Sequence, residues 1–440
     1  MKKANRMLLG LGFVILLLIS WAAALGSESD ADKQSVLIRQ AEEHITDKEY
    51  IVAVPLLEEA AGYNASHTLQ AENLLKEVYL QLFKLSKQYV YSSNYSKVLE
   101  KQMGRSSATP EVFKEAAEYE LGDNNLPAAL AVLKQGVLKT GSEELTALYE
   151  ENRYAVELGR SVYEEVTATS NGKIQVRREG LWGLANAAGN LVIPCEYDKI
   201  STFSTDRAFV KKDGEVYGID NNNNRLILLH EEIADFGNFG NERIPLRIGE
   251  EWRRANGEFT IGSTAFEAIG MYSNGYAAAK VNGKWGVVDT GSEWLVPAEY
   301  DEIITDELGR SYFQNAVFAS KSGAVYLIVD GKPLAEAYED ARPFSENGYA
   351  AVKKNGQWQF IDTEGKVQFG QTFDDAYSFS QHLAAVKVGE QWGYISLSGK
   401  VVIEPQYLGA KSFADGSAPV KTESGWQFIT LLEYEEEVSL

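Results

Sequence analysis

The chain has 440 residues, an ordinary globular share of apolar residues and a formal net charge of -21. This length exceeds what one hydrophobic core usually supports, so we expect two or three domains, and the apolar content argues against wholesale disorder. The strong negative charge argues against nucleic acid or an anionic membrane surface as a direct partner.

Residues 1–26 have the organisation of an export signal. Three basic residues among the first six precede an apolar run from Met7 to Leu25. The run is intermediate in length between a signal-peptide core and a membrane-spanning helix. Small residues before its end would permit cleavage, so a signal peptide and an uncleaved signal anchor both stay open. Either outcome exports the rest of the chain and leaves an uncleaved N-terminus in the cytoplasm.

The cysteine count favours a particular compartment. Cys195 is the single cysteine, so the chain cannot form an intrachain disulfide. An exported protein without disulfides suits a bacterial envelope better than a eukaryotic secretory route. We therefore expect an extracytoplasmic protein that is anchored to the cell membrane or secreted.

Residues 32–158 carry apolar residues at helical spacing. The clearest phrase runs from Ala116 to Leu138, where small residues flank a Gly-Asp-Asn turn, as in two closely packed antiparallel helices. This phrase resembles a tetratricopeptide repeat (TPR). Leu69–Val90 reads as one long helix, and Thr109 with Pro110 predicts a helix start. The resemblance implies a peptide-binding groove, and the alternative is a helical spacer.

After an expected linker at 159–172, residues 173–434 repeat one short phrase, and an acidic tail at 435–440 follows. The phrase is a glycine turn, an aromatic residue and a strand-like run. Its aromatic anchors, which we expect to form the structural core of each repeat, are Trp182, Tyr217, Trp252, Trp285, Tyr326, Trp358, Trp392 and Trp426. Their spacings are 35, 35, 33, 41, 32, 34 and 34 residues. Such a period indicates one supersecondary unit copied along the chain, seven complete units and a partial eighth.

Each unit predicts three or four short strands. An Ala-x-Val strand comes first, then a hairpin turn such as Asn282-Gly283, then the strand that carries the anchor. A further strand is expected to stop at a proline, because proline cannot donate to a strand ladder. Aromatic-Asp pairs follow, with Asp198, Asp301 and Asp374 as the carboxylates that we expect to accept turn N–H groups.

These features in order resemble the WG-repeat family, whose Trp-Gly pair stands at Trp182-Gly183, Trp285-Gly286 and Trp392-Gly393. The resemblance covers roughly three fifths of the chain. It implies a β-repeat protein that binds partners, and the family offers no shared catalytic residues. The glycine after the anchor is expected to let a neighbouring backbone or ring approach closely.

The predicted fold is therefore α+β and multidomain, with TPR-like helical hairpins followed by an all-β repeat domain. The repeats can close into a propeller-like ring or stay open as a β-superhelix, and we favour the ring. The overhang from Ser417 to Thr430 supplies only two strands, which fit either a partial blade or a terminal cap.

The residues predict no catalytic, cofactor-binding or metal-binding site. The four histidines lack ligand spacing, and no nucleophile elbow or phosphate-binding glycine loop is present. We expect a non-enzymatic, exported, membrane-tethered binding or scaffold protein whose partner is a protein or a cell-wall glycan. The alternative is an envelope carbohydrate-active enzyme that uses a carboxylate pair in the β-repeat domain.

Overall fold

The computed structural model describes residues 29–204, 206–226, 233–311 and 315–433. The chain divides into two compact units, one of residues up to Tyr149 and one that begins at Glu150. We describe each unit by itself. The expected export segment at 1–26 and the acidic tail at 435–440 lie outside the described residues. Within the described ranges, none of the helices combines the length and apolar character that a membrane span requires.

The first unit is helical. In the described residues its seven helices are α1 (Asp30–Thr46), α2 (Tyr50–Gly62), α3 (Thr68–Ser86), α4 (Tyr89–Gly104), α5 (Pro110–Gly122), α6 (Leu126–Thr140) and α7 (Glu143–Asn152). The expected long helix at 69–90 is confirmed as α3, but it ends at Ser86, immediately before Lys87, rather than at Val90. Lys87 adopts a left-handed conformation (φ 57°), which stops the helical hydrogen-bond ladder.

Successive helices pack through small residues and a few buried polar clamps. The phrase around Ala116 forms the predicted helix pair, and Ala116, Ala117 and Ala129 are buried between α5 and α6. Gln34 on α1 is fully buried, donates to Ala60 O at 2.9 Å and accepts the His67 N–H at 3.0 Å. These bonds satisfy backbone groups at the junction of α2 and α3. The TPR resemblance of this unit stays a prediction.

The second unit consists of eight small antiparallel sheets, or blades, in chain order. Blade 1 is β2–β5 (Glu165–Ser170, Lys173–Arg178, Leu181–Asn186, Leu191–Tyr197), blade 2 is β6–β9 (Lys199–Ile200, Arg207–Lys212, Glu215–Asp220, Arg225–Leu226), blade 3 is β10–β12 (Ile233–Phe236, Arg243–Ile248, Glu251–Asn256) and blade 4 is β13–β16 (Ala268–Ile269, Tyr276–Val281, Lys284–Asp289, Trp294–Tyr300). Blade 5 is β17–β20 (Glu302–Ile303, Ala316–Lys321, Ala324–Val329, Lys332–Tyr338), blade 6 is β21–β24 (Asp340–Ala341, Tyr349–Lys354, Gln357–Asp362, Val367–Phe373), blade 7 is β25–β28 (Asp375–Ala376, Leu383–Val388, Gln391–Ser396, Val401–Tyr407) and blade 8 contains β29–β31 (Gly409–Ala410, Ser417–Thr422, Gly425–Leu431).

The ring is closed by a strand from the start of the unit. Strand β1 (Val156–Leu158) pairs antiparallel with β31, so blade 8 has four strands drawn from both ends of the repeat region. Further on, the backbones of Tyr163 and Trp426 exchange two hydrogen bonds of 2.9 Å. The overhang is therefore the body of an eighth blade, and the fold is an eight-bladed β-propeller, as the favoured prediction stated.

A hydrophobic cluster lies at each of the eight junctions between neighbouring blades. The junction of blades 8 and 1 resembles the others, because Phe428 packs there with Val166, Ile174 and Ala185. The remaining seven junctions have clusters of the same kind. Each sheet buries both faces against its neighbours, which is why one unit cannot fold alone.

Three sequence-based expectations are corrected here. The expected linker at 159–172 contains strand β2, and the expected helical region to residue 158 contains β1, because pairing with distant strands decides these conformations. The prolines do not end their strands. Pro194, Pro297 and Pro405 lie inside the last strand of their blades, where the register is irregular. That strand is the sheet edge, so the missing N–H leaves no ladder bond unmade.

Candidate functional site

The centre of the ring is lined by the same segment of successive blades. A cavity of about 640 Å³ is bounded by the segments that join the first and second strands of blades 4 to 8, together with β2 of blade 1. Because six blades contribute to one cavity, the cavity lies on the ring axis. An adjoining cavity of about 400 Å³ shares Thr169, Arg310 and Ser380 with it. We call the two cavities together the axial channel.

Tight turns before the second strands bond to one another around the channel. A side chain in one blade accepts a backbone N–H from the next blade. These bonds are Asn241 Oδ1 with Gly275 N (2.8 Å), Glu346 Oε1 with Gln381 N (2.9 Å) and Gln381 Oε1 with Gly416 N (3.0 Å). The same device at three junctions holds the turns of adjacent blades in register.

One loop breaks the symmetry of the channel. Residues 305–311 of blade 5, which we call the crossing loop, contact segments of other blades. Arg310 Nη1 donates to Thr169 O of blade 1 at 3.2 Å, and Leu308 O accepts from Asn238 Nδ2 of blade 3 at 3.1 Å. Leu308 is 3% exposed. The loop therefore connects blades that are not neighbours and forms part of the channel lining.

The charged groups of the crossing loop are paired. Glu307 forms an ion pair with Lys411 of blade 8, and Asp306 Oδ2 accepts from Arg310 Nε at 2.6 Å. Burial in the channel raises the pKa of Glu307 above its ordinary value, and the charge of Lys411 opposes that rise. The carboxylates of this loop thus serve to position the loop.

Three residues that line the channel carry a buried polar atom without a hydrogen-bond partner among the described residues. These atoms are Ser311 Oγ and Thr169 Oγ1 in the larger cavity and the Tyr272 hydroxyl in the smaller one. Ser311 is 3% exposed and Tyr272 is 1% exposed. Burial raises the pKa of Tyr272 to about 12, so this hydroxyl stays protonated at neutral pH. Buried hydroxyls of this kind can donate to or accept from a ligand.

The repeated carboxylates lie away from the channel, at the hairpins between second and third strands. Asp198, Asp301 and Asp374 accept backbone N–H groups of Asp213, Ser322 and Gly389 at 3.1, 2.7 and 2.7 Å. Lys284 also donates to Asp301, and this bond, followed by that from the Ser322 N–H, lowers the pKa of the Asp301 carboxyl. These carboxylates hold turns, as the sequence predicted.

The repeat anchors lie on the third strands, against the clusters between blades. Trp358 and Trp392 are buried, and the other anchors are partly exposed. The two tyrosines differ from the tryptophans in register. Each tryptophan on the third strand pairs with the next-to-last residue of the second strand. In blades 2 and 5 the third-strand residues that pair with this next-to-last residue are Val216 and Val325.

Tyr217 and Tyr326 are therefore one residue out of register with the tryptophans. Successive side chains alternate between the two faces of a strand, so these tyrosines face the preceding blade and the tryptophans face the following one. The prediction that these tyrosines are equivalent to the tryptophans is therefore wrong by one residue. All eight anchors still contact clusters between blades, and their contribution to stability stays a prediction.

The glycine after the tryptophan lies under the outermost strand. A Cβ atom on Gly183 would lie 2.6 Å from Ile193 O and 2.7 Å from Cys195 N. A Cβ on Gly393 would lie 2.6 Å from Pro405 N. Real Cβ atoms do not approach backbone atoms so closely. The outer strand, whose register is irregular near its proline, can therefore cross the third strand only where that strand has a glycine. The predicted close approach is confirmed.

Six stretches of the second unit match the family model described as the WG containing repeat, at 182–215, 256–285, 285–306, 330–358, 360–392 and 392–426. These six stretches of the propeller are WG repeats. The stretches around Tyr217 and Tyr326 are unmatched, which agrees with their shifted register. No curated protein matches this chain.

Several solved structures are similar to the chain at low identity. PorZ, a surface component of the type-IX secretion system of Porphyromonas gingivalis, is 10% identical with a TM-score of 0.32, and the match covers 54% of this chain and 37% of that one. Hsv2 of Kluyveromyces lactis is 10% identical (TM-score 0.35; 58% and 92% covered). The Cps50 (Swd1) β-propeller domain of Myceliophteria thermophila is 8% identical (TM-score 0.34; 63% and 98% covered). The chain thus spans little more than a third of PorZ.

The sequence did not predict the channel residues. Its one signal was the spacing of 41 residues between Trp285 and Tyr326, the longest in the series, which reflects the crossing loop. Among the described residues, no group of three or more His, Cys, Asp or Glu side chains is arranged to hold a metal ion.

Proposed function

We propose that this chain is an exported, membrane-tethered scaffold that presents its repeat surfaces to a protein or cell-wall partner. The observation that carries the proposal is the closed propeller, in which equivalent segments of five blades and strand β2 of blade 1 line one axial channel with polar side chains. Repeat folds offer such composite surfaces to partners. The basic and apolar residues of the N-terminal segment support export and tethering.

The arrangement of carboxylates favours binding over the alternative carbohydrate-active enzyme. A glycosidase needs two carboxyl groups that converge on one bond of the substrate. In the channel, Glu307 is paired with Lys411 and Asp306 with Arg310. A Glu307→Gln variant tests the enzyme directly, because loss of a hydrolytic activity present in the parent chain would support catalysis.

Site-specific photo-cross-linking in intact cells tests the scaffold. A photoreactive residue replaces exposed Asp415, which lines the smaller cavity of the channel, and the matched control replaces exposed Glu364 in a hairpin of blade 6. We expect a discrete cross-linked product from position 415 and none from position 364. Equal labelling at both positions, or no product at either, would contradict a partner at the channel.

Protease added to intact protoplasts tests export. We expect cleavage of the propeller in cells whose cytoplasmic marker protein stays intact. Protection of the propeller until the cells are lysed would overturn the exported location while leaving the cross-linking result to be interpreted on its own.

A further inference from the structure

We propose that the axial channel binds a neutral, polyhydroxylated ligand, a short oligosaccharide, beside the crossing loop. The inference rests on the proposed binding function and names the ligand class of that site. Its volume of about 640 Å³ falls within the range of ~300–1,000 Å³ that small-molecule pockets occupy.

The lining of the larger cavity is rich in hydroxyl groups. Six serines and two threonines line it, and each side chain can both donate and accept a hydrogen bond. They are Thr169, Ser273, Thr305, Ser311, Ser345, Ser378, Ser380 and Ser412. A sugar presents the same donor and acceptor pairs in several directions. The partly exposed ring of Tyr377 borders the polar groups and gives the site an apolar part.

The charges of the lining favour a ligand without net charge. The lining holds three cations and three anions: Arg310, Arg342, Lys411, Asp306, Glu307 and Glu346. Arg310 and Lys411 have partners within the crossing loop, and Arg342 Nη2 lies 3.5 Å from Asp375 Oδ1. A phosphate would have to compete with these carboxylates for the cations, and a metal ion would have to compete with the cations for the carboxylates. A neutral polar ligand disturbs neither set.

The lining residues also carry buried polar atoms that have no partner among the described residues, and a small shift of their side chains would let a ligand bond to them. Ser311 Oγ belongs to a residue that is 3% exposed, and Thr169, whose Oγ1 also has no partner, lines the same cavity. The buried Arg342 Nε also has no partner among the described residues. Buried polar groups are normally bonded, so hydroxyl oxygens that bond to these atoms would gain affinity.

Calorimetric titration of the full chain tests the proposal. The probes are triacetylchitotriose, cellotriose and maltotriose, with inorganic phosphate as the charged comparison. We expect saturable binding of at least one trisaccharide and none of phosphate. Ser311→Ala and Thr169→Val each remove one unpartnered hydroxyl and are expected to weaken binding about three- to tenfold.

A cavity-filling variant locates the site. Ser412→Trp places a large ring in the channel and is expected to abolish binding, whereas Ser424→Trp, at an exposed hairpin, is expected to leave it unchanged. Circular dichroism and thermal unfolding identify variants that retain the fold. If Ser412→Trp does not fold, the two hydroxyl variants decide the question.

Sedimentation with purified cell wall separates two sources of the sugar. If the chain sediments with the wall and the bound trisaccharide prevents this, the ligand is a wall glycan. If the chain binds the trisaccharide in the titration but does not sediment with the wall, the ligand is a free sugar. Both outcomes support the proposal. It is overturned if no trisaccharide binds, if phosphate binds instead, or if Ser412→Trp folds and binds normally. The cross-linking experiment at position 415 does not depend on these outcomes, so it tests the scaffold function independently of the sugar ligand.

Discussion

The tryptophans of this propeller lie at the contacts between blades, where an aromatic ring covers a large apolar area. Trp358 is 3% exposed and packs with Phe360, Phe373 and Phe379 at the junction of blades 6 and 7. The guanidinium of Arg342 lies 4.5 Å from its ring centre, a distance suited to a cation–π contact. The ring therefore joins a hydrophobic junction to a residue of the axial channel.

Replacement of Trp358 tests this packing role. Trp358→Ala is expected to lower the free energy of unfolding of the propeller by about 3–5 kcal/mol, because it removes a buried ring and leaves a cavity. The matched control is Trp294→Ala, whose ring is 39% exposed on the last strand of blade 4. We expect a much smaller loss there, measured by urea denaturation. Equal losses would contradict the packing role.

A second prediction concerns pH and Glu196. Its carboxylate accepts hydrogen bonds from Lys212 Nζ at 2.7 Å and from Asn223 Nδ2 at 2.8 Å. Both bonds lower the pKa of Glu196, and the bond from Lys212 has the larger effect. Because the pKa of Glu196 is lower in the folded state, its carboxylate stabilises the fold at pH values above its pKa in the unfolded chain, about 4.3. This stabilisation is lost as the pH falls through the pKa of the folded state.

Glu196→Gln should therefore unfold at a lower urea concentration than the parent chain at pH 7. The difference should shrink as the pH is lowered through 4, because the parent carboxylate becomes protonated as well. Urea midpoints at pH 7, 5 and 3.5 measure this. A difference that stays constant with pH would show that the carboxylate charge contributes nothing.

At the scale of elements, each blade depends on how its third and fourth strands cross. The fourth strand is the outer edge. In blades 1, 4 and 7 it carries a proline near its middle and passes over the glycine that follows the tryptophan. The proline and the glycine are thus two parts of one crossing. This explains why WG units that keep the glycine, such as those at Gly183 and Gly393, also keep the proline.

The crossing predicts the effect of adding one methyl group. Gly183→Ala places a Cβ 2.6 Å from Ile193 O, so the outer strand must shift, and we expect a loss of about 1–3 kcal/mol of stability. Gly262→Ala is the control, because its Cβ would meet Arg254 Cγ at an ordinary 3.4 Å. Thermal unfolding of both variants measures the difference. A Gly183 variant as stable as the control would argue against the close crossing.

The sequence predicted the elements that repeat and missed those that occur once. Trp285-Gly286 and its strands could be recognised because the same pattern recurs at a regular period. Strand β1 has three residues and acquires its conformation only by pairing with β31, far away in the chain. The crossing loop left a trace in the spacing, but its contacts with Thr169 and Lys411 depend on ring closure. Local patterns do not encode such contacts.

At the scale of the molecule, stability depends on closure of the ring. An open array would leave apolar faces at its first and last blades, whereas here Phe428 of blade 8 packs against blade 1. Strand β1 completes blade 8 and so joins the beginning of the unit to its end. Each blade then has two neighbours, and the crossing loop adds contacts across the axis.

A disulfide across the closing strands tests the ring. Glu157 on β1 and Thr430 on β31 are paired residues, and both can be replaced by cysteine in a Cys195→Ser background, which has no other thiol. A bond that closes so long a stretch of chain is expected to stabilise the propeller by about 2–4 kcal/mol. The oxidised variant should therefore unfold at a higher temperature than its reduced form. The control pairs Glu157→Cys with Thr422→Cys, at the opposite end of β30, and should not form the bond. If the 157–430 bond fails to form under mild oxidation, or forms without raising the unfolding temperature, the two ends do not meet in solution and an open superhelix is the better description.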